Sequence, residues 1–423
     1  MMRLGSHGRA VALAMALSLG LAACGGRPAG ILVPVEATVP GASVVEMVVA
    51  TTRAPAKNLD MFSGDRGSTL SFAEIAVSIP PAANRKVGDV QWPKSVPGNP
   101  ATDFVTLRAD VLTQSAALDW FNKRIKKTPR RQALVFIHGY NNRFEDAVFR
   151  FAQIVHDSNA PVTPILFTWP SRGSLLAYGY DRESASYSRD ALEKLLAGLA
   201  KDPDVGEISI LAHSMGNWVT LEALRQMAIR NGRIAPKIRN VMLAAPDVDV
   251  DIFRTQFSDF GNPKPSFTIF VSQDDRALQV SKQVWGSAAR LGQVDPQQEP
   301  FRSEFERDHI TVLDLTKLQT DDKLNHGKFA ESPEVVQMIG GRLAEGQTMT
   351  DGREGVGDRI IQVTAGTATT IGTAAGVVLS APAAVLDPST RENYGAQVES
   401  LTGQVSATAG SATHLLTTAP KVE

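Results

Sequence analysis

A strand-like run, a tight turn and a helix-like pattern follow one another directly at residues 208–231. The apolar residues 208–212 predict a buried strand, and the helical pattern after the turn stops at an Asn-Gly pair. Ser214 lies in the turn between the small residues Ala212 and Gly216, which allow the chain to reverse sharply. The segment matches the Gly-x-Ser-x-Gly strand–turn–helix pattern except that alanine replaces the first glycine. It therefore predicts a serine hydroxyl that projects alone from the turn.

Strand-like and helix-like segments alternate through most of the chain. The predicted strands are 44–50, 70–79, 104–111, 133–137, 165–168, 208–212, 241–244, 267–271 and, as the last, 310–315. Helical spacing marks 144–152, 191–199 and a closing helix from 333 to 339. The three first strands read as an antiparallel start. Apolar strands separated by helices then predict an α/β fold, with a mostly parallel central sheet and helices on both faces.

The N-terminus has the pattern of a secretion signal. Two arginines precede a short apolar run that is too short to span a bilayer, and Leu-Ala-Ala-Cys at 21–24 matches the bacterial lipobox. Cys24 is the single cysteine of the chain. We therefore predict a lipoprotein signal peptide at 1–23, lipid attachment at Cys24, a tether at 24–43 and a periplasm-facing protein. Glycine rather than aspartate after the cysteine favours the outer membrane in a Gram-negative cell.

The composition changes after about residue 345, which predicts a main domain at 44–345 and an Ala/Gly/Thr-rich C-terminal extension at 346–423. Residues 360–386 carry no charge and include a GxxxG spacing at Gly372 and Gly376. A helix that packs on the body or on other copies of the chain is the favoured interpretation. Membrane insertion is the alternative.

The order of residues along the chain reduces the number of histidines that are candidates for a base. A serine hydroxyl becomes a strong nucleophile when an imidazole takes its proton and a carboxylate orients that imidazole. After a strand–turn–helix serine the acid and then the histidine follow, which leaves His309, His326 and His414. His309 opens the predicted last strand, at the edge opposite to the carboxyl ends where such sites lie, and His414 is in the tail. We therefore predict His326 as the base.

The acid is predicted to follow the strand at 267–271. Asp274 and Asp275 both stand there, and we favour Asp275, with Asp274 close behind. Three rivals follow the preceding strand: Asp247, Asp249 and Asp251. A developing oxyanion needs two backbone N–H donors. We predict the N–H of Met215, after the serine, and the N–H of Tyr140, in the His-Gly loop after the strand at 133–137.

These residues resemble the α/β-hydrolase superfamily and, more narrowly, a bacterial group of predicted esterase/lipase lipoproteins. The segments that carry the resemblance are 135–141 (Val-Phe-Ile-His-Gly-Tyr-Asn), 167–180, 181–184 (Asp-Arg-Glu-Ser), the Ser214 turn, 243–247 (Leu-Ala-Ala-Pro-Asp), 272–278 and 326–329 (His-Gly-Lys-Phe). The resemblance runs from about 44 to 343. It implies an α/β-hydrolase fold with Asp275 as acid and His326 as base, and a loop at 167–181 whose polar residues shape the pocket or brace it.

The predicted function is a lipid-anchored serine hydrolase that cleaves ester-type bonds through an acyl-enzyme. The alternatives are a catalytically idle scaffold in the cell envelope and another acyl hydrolase with the same triad, such as a thioesterase, amidase or depolymerase. No metal or phosphate-binding motif is present, so no cofactor or metal is predicted. A net charge of −1 without a basic cluster argues against nucleic acid. The expected partners are an ester-type substrate, the membrane and, through 360–386, other copies of the chain.

Overall fold

The computed structural model describes residues 29–36, 39–57, 59–284, 288–345, 360–364 and 367–370. The chain divides into two compact units, which we call the first unit (1–207) and the second unit (208–423). The predicted signal peptide, Cys24, His414 and the GxxxG spacing lie outside the described residues. Within the described ranges, no helix combines the length and the apolar character that a membrane span requires.

The described residues of the first unit form five strands and three α-helices. The strands are β1 (Ser43–Pro55), β2 (Phe62–Ile79), β3 (Val105–Leu112), β4 (Gln132–Ile137) and β5 (Thr163–Thr168), and the helices are α1 (Gln114–Ile125), α2 (Phe144–Ser158) and α3 (Tyr178–Lys201). The strands lie side by side in the order β4-β5-β1-β2-β3. β4, β5 and β1 run parallel, whereas β1, β2 and β3 are antiparallel neighbours. The predicted antiparallel start is therefore confirmed.

Helix α2 shows how the local sequence produces this packing. The Asp146 side chain accepts a hydrogen bond from the Arg143 N–H (2.9 Å) and caps the first turn. Ala147, Val148 and Phe151 recur at helical spacing and are completely buried, and each large apolar side chain buried in this way contributes about 1.5–3 kcal/mol. The helix ends at Asn159, which adopts a left-handed conformation.

Residues 31–35, within the predicted tether, pack on the first unit instead of standing free of it. Ile31 and Leu32 are buried. The carbonyl of Ile31 accepts a hydrogen bond from the Thr106 hydroxyl (3.0 Å), and the Val35 N–H donates to the Thr106 carbonyl (2.9 Å). Part of the predicted tether at 24–43 is therefore folded against β3, which contains Thr106.

The second unit contains a mostly parallel sheet. Its strands are β6 (Glu207–His213), which begins at the boundary residue, β7 (Ile238–Ala244), β8 (Ser266–Val271), β9 (Thr311–Asp314), β10 (Ile360–Thr364) and β11 (Thr367–Thr370). Its helices are α4 (Gly216–Asn231), α5 (Val250–Ser258), α6 (Arg276–Val284), α7 (Phe301–Arg307), α8 (Lys328–Glu331) and α9 (Pro333–Glu345). The strands β6 to β10 are parallel in chain order, and β11 is antiparallel to β10. The predicted α/β class with a mostly parallel sheet is confirmed.

The last strand was assigned wrongly from the sequence. The predicted strand at 310–315 corresponds to β9, but β10 pairs with it in parallel, for example Ile361 with Leu313. Ile360, Ile361 and Val363 are buried. The helix predicted for 360–386 is therefore wrong for 360–364 and 367–370, because β-branched residues in this run favour a pleated surface. The elements of the sheet are not complete at residue 345.

Candidate active site

Ser214 lies in a strained turn between β6 and α4. Its φ of +53° falls in the left-handed region, which residues other than glycine seldom adopt. The surrounding backbone fixes this conformation. The Ser214 N–H donates to the Ala244 carbonyl (2.9 Å), and the Ser214 carbonyl accepts from the Asp247 N–H (3.3 Å). The strand–turn–helix pattern of the sequence is thus present, with the serine at its turn.

Asn217 is a residue that the sequence analysis did not single out. Its buried side chain donates from Nδ2 to the carbonyls of Ser214 (2.9 Å) and Ala244 (3.0 Å). The amide therefore ties the serine turn to the end of β7. Asn217 stands three residues after the serine, on the buried side of α4. This position is the signal in the sequence that could have indicated its role.

Asp275 and His326 are directly hydrogen-bonded. Asp275 is fully buried in the turn after β8, and its Oδ2 lies 2.7 Å from Nδ1 of His326. Its other oxygen, Oδ1, accepts the Leu278 N–H (2.9 Å) at the start of α6. Both carboxylate oxygens are therefore occupied, which fixes the orientation of the carboxylate toward the imidazole.

The loop that carries His326 is held by a second carboxylate. Asp322 Oδ2 accepts the N–H groups of His326 (2.6 Å) and Gly327 (2.9 Å). Burial raises the pKa of Asp322, but hydrogen bonds from Leu324 and from these two N–H groups outweigh it, so the pKa lies below its ordinary value. Asp322 is thus kept ionised and presets the loop. Its signal in the sequence was only its place four residues before the histidine.

The pKa of His326 reflects two opposing effects. Burial lowers the pKa, whereas the charge of Asp275 and the hydrogen bond to it raise it. The second effect is larger, and the pKa lies above the ordinary value of 6.5. The side chain is 16% exposed while Asp275 is buried, so the imidazole can be reached from outside and the carboxylate cannot.

His213 brings the His326 loop beside the serine turn. The two imidazole rings are 4.8 Å apart, and Nε2 of His213 lies 3.2 Å from the His326 carbonyl, to which it can donate. The His213 ring also packs against Phe329, at 4.7 Å. Because His213 immediately precedes Ser214, this contact places His326 next to the turn. His213 thus has a structural role beside the serine turn.

The other aspartates have different partners. Asp274 accepts from Nζ of Lys328 (2.8 and 3.0 Å), which is buried, and from Nδ2 of Asn325 (2.9 Å). Asp274 therefore neutralises a buried ammonium group, which would be costly to leave unpaired. The three rivals bind elsewhere: Asp247 accepts from the Ser281 hydroxyl, Asp249 caps α5 and Asp251 pairs with Arg254. Within the described ranges, Asp275 is the carboxylate that contacts the His326 imidazole.

Two other histidines have different partners. His309 stands just before β9, at the amino end of that strand. In the first unit, His138 is buried and stacks on Trp169 at 5.0 Å. Its Nδ1 donates to the Gly139 carbonyl, and its Nε2 accepts the Trp169 N–H. Burial lowers the pKa of His138 to about 3, so the ring is neutral and acts as a brace.

The two predicted oxyanion donors lie in different units. Met215 is the N-cap residue of α4, so its N–H precedes the hydrogen-bond ladder of the helix. Tyr140 lies in the loop after β4, and its hydroxyl donates to the Leu175 carbonyl (2.5 Å). The participation of Met215 and Tyr140 in an oxyanion hole stays a prediction.

The loop predicted at 167–181 ends earlier than expected, because α3 already begins at Tyr178. Asp181 is therefore on the first turn of that helix. It is completely buried and accepts from the Ser171 hydroxyl (2.6 Å) and the Arg172 N–H (3.0 Å). Of the two roles considered for this loop, bracing is the one that Asp181 fulfils.

A buried arginine supports the same loop and was missed in the sequence. Nη1 of Arg53 donates to the Ser171 carbonyl and Nη2 donates to the Asn142 carbonyl, both at 2.8 Å. Burial lowers the pKa of Arg53 to about 10, which leaves it charged at neutral pH. An arginine inside a β run gave no signal of this contact, which depends on two distant loops.

The fold and the family match together define an α/β hydrolase. Residues 113–342, more than half of the chain, match the family described as "Alpha/beta hydrolase of unknown function (DUF900)". The chain belongs to this family of α/β hydrolases. The predicted resemblance to the α/β-hydrolase superfamily and the predicted fold are therefore confirmed.

Individual relatives are more distant. An uncharacterized protein of Nostoc sp., alr1448, is 28% identical over 152 residues, and the match covers 30% of this chain and 39% of that protein. Among solved structures, the lin2722 product of Listeria innocua is 13% identical with a TM-score of 0.33, covering 55% of this chain and 98% of that one. A structure from a study of two fungal esterases from Rhizomucor miehei is 12% identical, with a TM-score of 0.31. The match covers 75% of this chain and 85% of that one. Because these TM-scores are low, the assignment of the chain to its family rests on the family match.

Proposed function

We propose that this chain is a serine hydrolase that cleaves ester-type bonds through an acyl-enzyme. The observation that carries the proposal is the 2.7 Å contact between Asp275 and His326, on a loop packed against the residue before Ser214. A nucleophile, a base and a group that orients the base are the three parts that such chemistry needs. The chain offers one residue for each part.

The proposed reaction begins with Ser214. Nε2 of His326 takes the proton of the Ser214 hydroxyl as Oγ attacks the carbonyl carbon of the ester. The electron pair of the C=O bond moves to oxygen, and the N–H of Met215 stabilises the resulting oxyanion. The oxyanion then reforms the C=O bond as the bond to the alcohol oxygen breaks, and His326 gives its proton to the departing alcohol, which leaves an acyl group on Ser214. His326 then takes a proton from a water molecule as the water oxygen attacks the acyl carbon, the bond to Oγ breaks, the acid is released and His326 returns the proton to Ser214 Oγ.

Asp275 acts in this scheme without exchanging a proton. It accepts the Nδ1–H of His326, which fixes the tautomer whose Nε2 is free to act as a base. It also stabilises the imidazolium that forms when the serine loses its proton. A buried carboxylate suits this task because little water competes for it.

The second part of the proposal is a lipid anchor at Cys24. The lipobox at 21–24 supports it, and the glycine that follows the cysteine favours the outer membrane, with the hydrolase facing the periplasm. Mass spectrometry of the mature N-terminus is the direct test. Cys24→Ser is expected to block acylation, and an unmodified Cys24 in a membrane fraction would contradict the anchor.

The reaction class is tested with the purified chain. A fluorophosphonate probe reports an activated serine, and p-nitrophenyl esters of rising acyl length, a matched thioester and a matched anilide report the preferred bond. We expect labelling and faster turnover of the esters than of the anilide. Absence of labelling would favour an idle scaffold, and faster turnover of the thioester or the anilide would move the chain to another class of acyl hydrolase.

A further inference from the structure

A short segment of the second unit, residues 289–293, runs beside the loop that follows β7. The Leu291 N–H donates to the Val248 carbonyl (2.9 Å), and the Gly292 N–H donates to the Pro246 carbonyl (3.0 Å). Leu291 and Gly292 are buried. We call residues 289–293 the bridging segment, because it also bonds to the loop that follows the neighbouring strand, β8.

Gly292 is the point at which the bridging segment joins the two loops. Its carbonyl accepts the N–H of Ser272, the first residue after β8 (2.8 Å). A Cβ atom at this position would lie 2.7 Å from the Ala245 carbonyl carbon, from the Pro246 nitrogen and from Cδ1 of Leu278. These distances are shorter than van der Waals contact, so glycine is needed where the segment is inserted between the loops.

The loop after β7 connects the bridging segment to the serine turn. The Asp247 N–H donates to the Ser214 carbonyl (3.3 Å). The Asp247 carboxylate accepts from the Ser281 hydroxyl (2.6 Å), and Nε of Arg290, in the bridging segment, lies 3.5 Å from the same oxygen. Asp247 and Arg290 are both buried, so water and salt screen this ion pair only weakly. The bridging segment therefore supports the loop that holds the main chain of Ser214.

Gln293 connects the same segment to the turn that carries the acid. Its Nε2 donates to the Asp275 carbonyl (3.0 Å) and to the Gln273 carbonyl (3.4 Å). The Asp275 N–H donates to the Ser272 carbonyl (3.2 Å). The main chain of Asp275 is thus bonded through both its N–H and its carbonyl. Because the side chain extends from this main chain, its direction depends on these bonds.

We propose that Gln293 is a positioning residue of this site, which holds the main chain of Asp275 so that its carboxylate stays aligned with His326. The proposal rests on the proposed function, in which Asp275 orients the base. The alignment is narrow, because Oδ2 of Asp275 and Nδ1 of His326 are 2.7 Å apart. A displacement of about 1 Å can lower turnover about a hundredfold. Loss of the Gln293 bonds should therefore weaken the chemical step rather than substrate binding.

The test replaces Gln293 by methionine, which has a similar length and lacks the donor. Gln293→Met is expected to lower kcat about tenfold to a hundredfold and to change KM less than about twofold. The matched control is Gln91→Met, in the first unit. Gln91 is half-buried like Gln293, and its Nε2 donates to the carbonyls of Asn84 (2.9 Å) and Thr102 (2.8 Å). This control loses the same kind of bonds and should keep the kcat and KM of the original chain.

A second readout follows the imidazole itself. The charge of Asp275 and its hydrogen bond raise the pKa of His326, so a less aligned carboxylate should lower this pKa. The charges of Asp247 and Asp322 also raise the pKa of His326, but the carboxylates of these two residues accept from groups other than Gln293. An NMR titration of His326 should therefore give a lower pKa in Gln293→Met than in the original chain, and an unchanged pKa in the control.

A double-mutant cycle tests whether Gln293 acts through Asp275. In an Asp275→Asn background, Gln293→Met should lower kcat less than about twofold, because the carboxylate that Gln293 aligns is already gone. The same loss of kcat in both backgrounds would overturn the proposal. A Gln293→Met chain with the kcat and the His326 pKa of the original chain would overturn it as well.

Melting curves show whether each variant is folded. If Gln293→Met is not, Gln293→Ser takes its place, since this shorter polar side chain cannot reach the two carbonyls and should have the same effects. The NMR titration does not depend on turnover. If the original chain shows no ester turnover but the pKa of His326 falls in Gln293→Met, the proposed hydrolase fails and the alignment of the pair by Gln293 stands. An unchanged pKa overturns the alignment whether or not the chain is a hydrolase.

Discussion

The Nδ1 atom of His326 lies 2.7 Å from Oδ2 of Asp275, although 51 residues separate them in the chain. The carboxylate is buried and the imidazole is accessible. This arrangement orients the imidazole so that its Nε2 is the free basic atom. Since His326 also packs on His213, the basic atom belongs to the same cluster as the Ser214 turn.

The role of His326 is tested by comparing two histidines. His326→Ala removes the proposed base and is expected to lower ester turnover on the order of a millionfold, as losses of the base in such triads do. His309→Ala is the matched control and should keep turnover close to that of the original chain, because His309 lies at the amino end of β9. A folded His309→Ala chain without activity would contradict the assignment, as would an active His326→Ala chain.

The two neighbouring aspartates should differ sharply. Asp275→Asn leaves the imidazole without its acceptor and is expected to lower kcat by up to roughly ten-thousandfold. Asp274→Asn should change kcat far less and lower the thermal stability instead, because Asp274 neutralises Lys328. Turnover and melting curves of both variants decide this. A large loss of kcat in Asp274→Asn without a loss of stability would contradict the assignment, and an equally large loss confined to Asp247→Asn would move the acid to the strand before.

The pH dependence follows from the raised pKa of His326. The base must be neutral to accept the serine proton, so kcat/KM should rise with pH. The midpoint of this rise should lie above pH 6.5. Asp275→Asn removes the contribution that raises the pKa, which should move the midpoint to lower pH. Because the folded-state pKa exceeds the unfolded one, the protonated ring stabilises the fold below the unfolded pKa. That contribution disappears as pH rises through the folded pKa. An NMR titration of the His326 imidazole in the original chain and in Asp275→Asn checks the raised pKa and its fall in the variant. A pKa below 6.5 in the original chain would contradict the expected direction.

The sequence could narrow the acid to Asp274 or Asp275 but could not separate them by its own pattern. Both follow the same strand, and chain order treats them alike. The structure distinguishes them through Lys328, which is buried and takes Asp274 as its counter-ion. That pairing joins residues 54 positions apart, and nothing in a local pattern reports it. The same holds for Arg53, whose partners lie in two distant loops.

The alternation of strands and helices was predictable because each element has its own period of apolar residues. The last strands of the sheet, β10 and β11, were not predictable. Residues 360–370 contain β-branched residues that favour a strand, but they open a longer uncharged run rich in alanine, glycine and threonine whose overall composition does not separate a packed helix from a strand. The pairing of β10 with β9 decides between them, and this pairing depends on contacts across almost 50 residues.

The strand β10 gives a prediction about the C-terminus. A chain that ends at residue 345 loses the buried side chains of Ile360, Ile361 and Val363 and leaves β9 as an open edge. Burial of each of these side chains contributes up to about 1.5–3 kcal/mol to the stability, so the melting temperature of the shortened chain should fall by about 10 °C. A chain that ends at residue 371 keeps both strands and serves as the control. Equal melting temperatures of the two chains would contradict a structural role for β10.

Ser214 is the proposed activated nucleophile of this hydrolase. The most direct measurement is mass spectrometry of the purified chain after reaction with a fluorophosphonate, together with ester turnover. We predict that the label is found on Ser214, that Ser214→Ala abolishes both labelling and turnover, and that Ser258→Ala, at an exposed serine of α5, changes neither. A label on another serine, or ester turnover by folded Ser214→Ala at the rate of the original chain, would contradict the account.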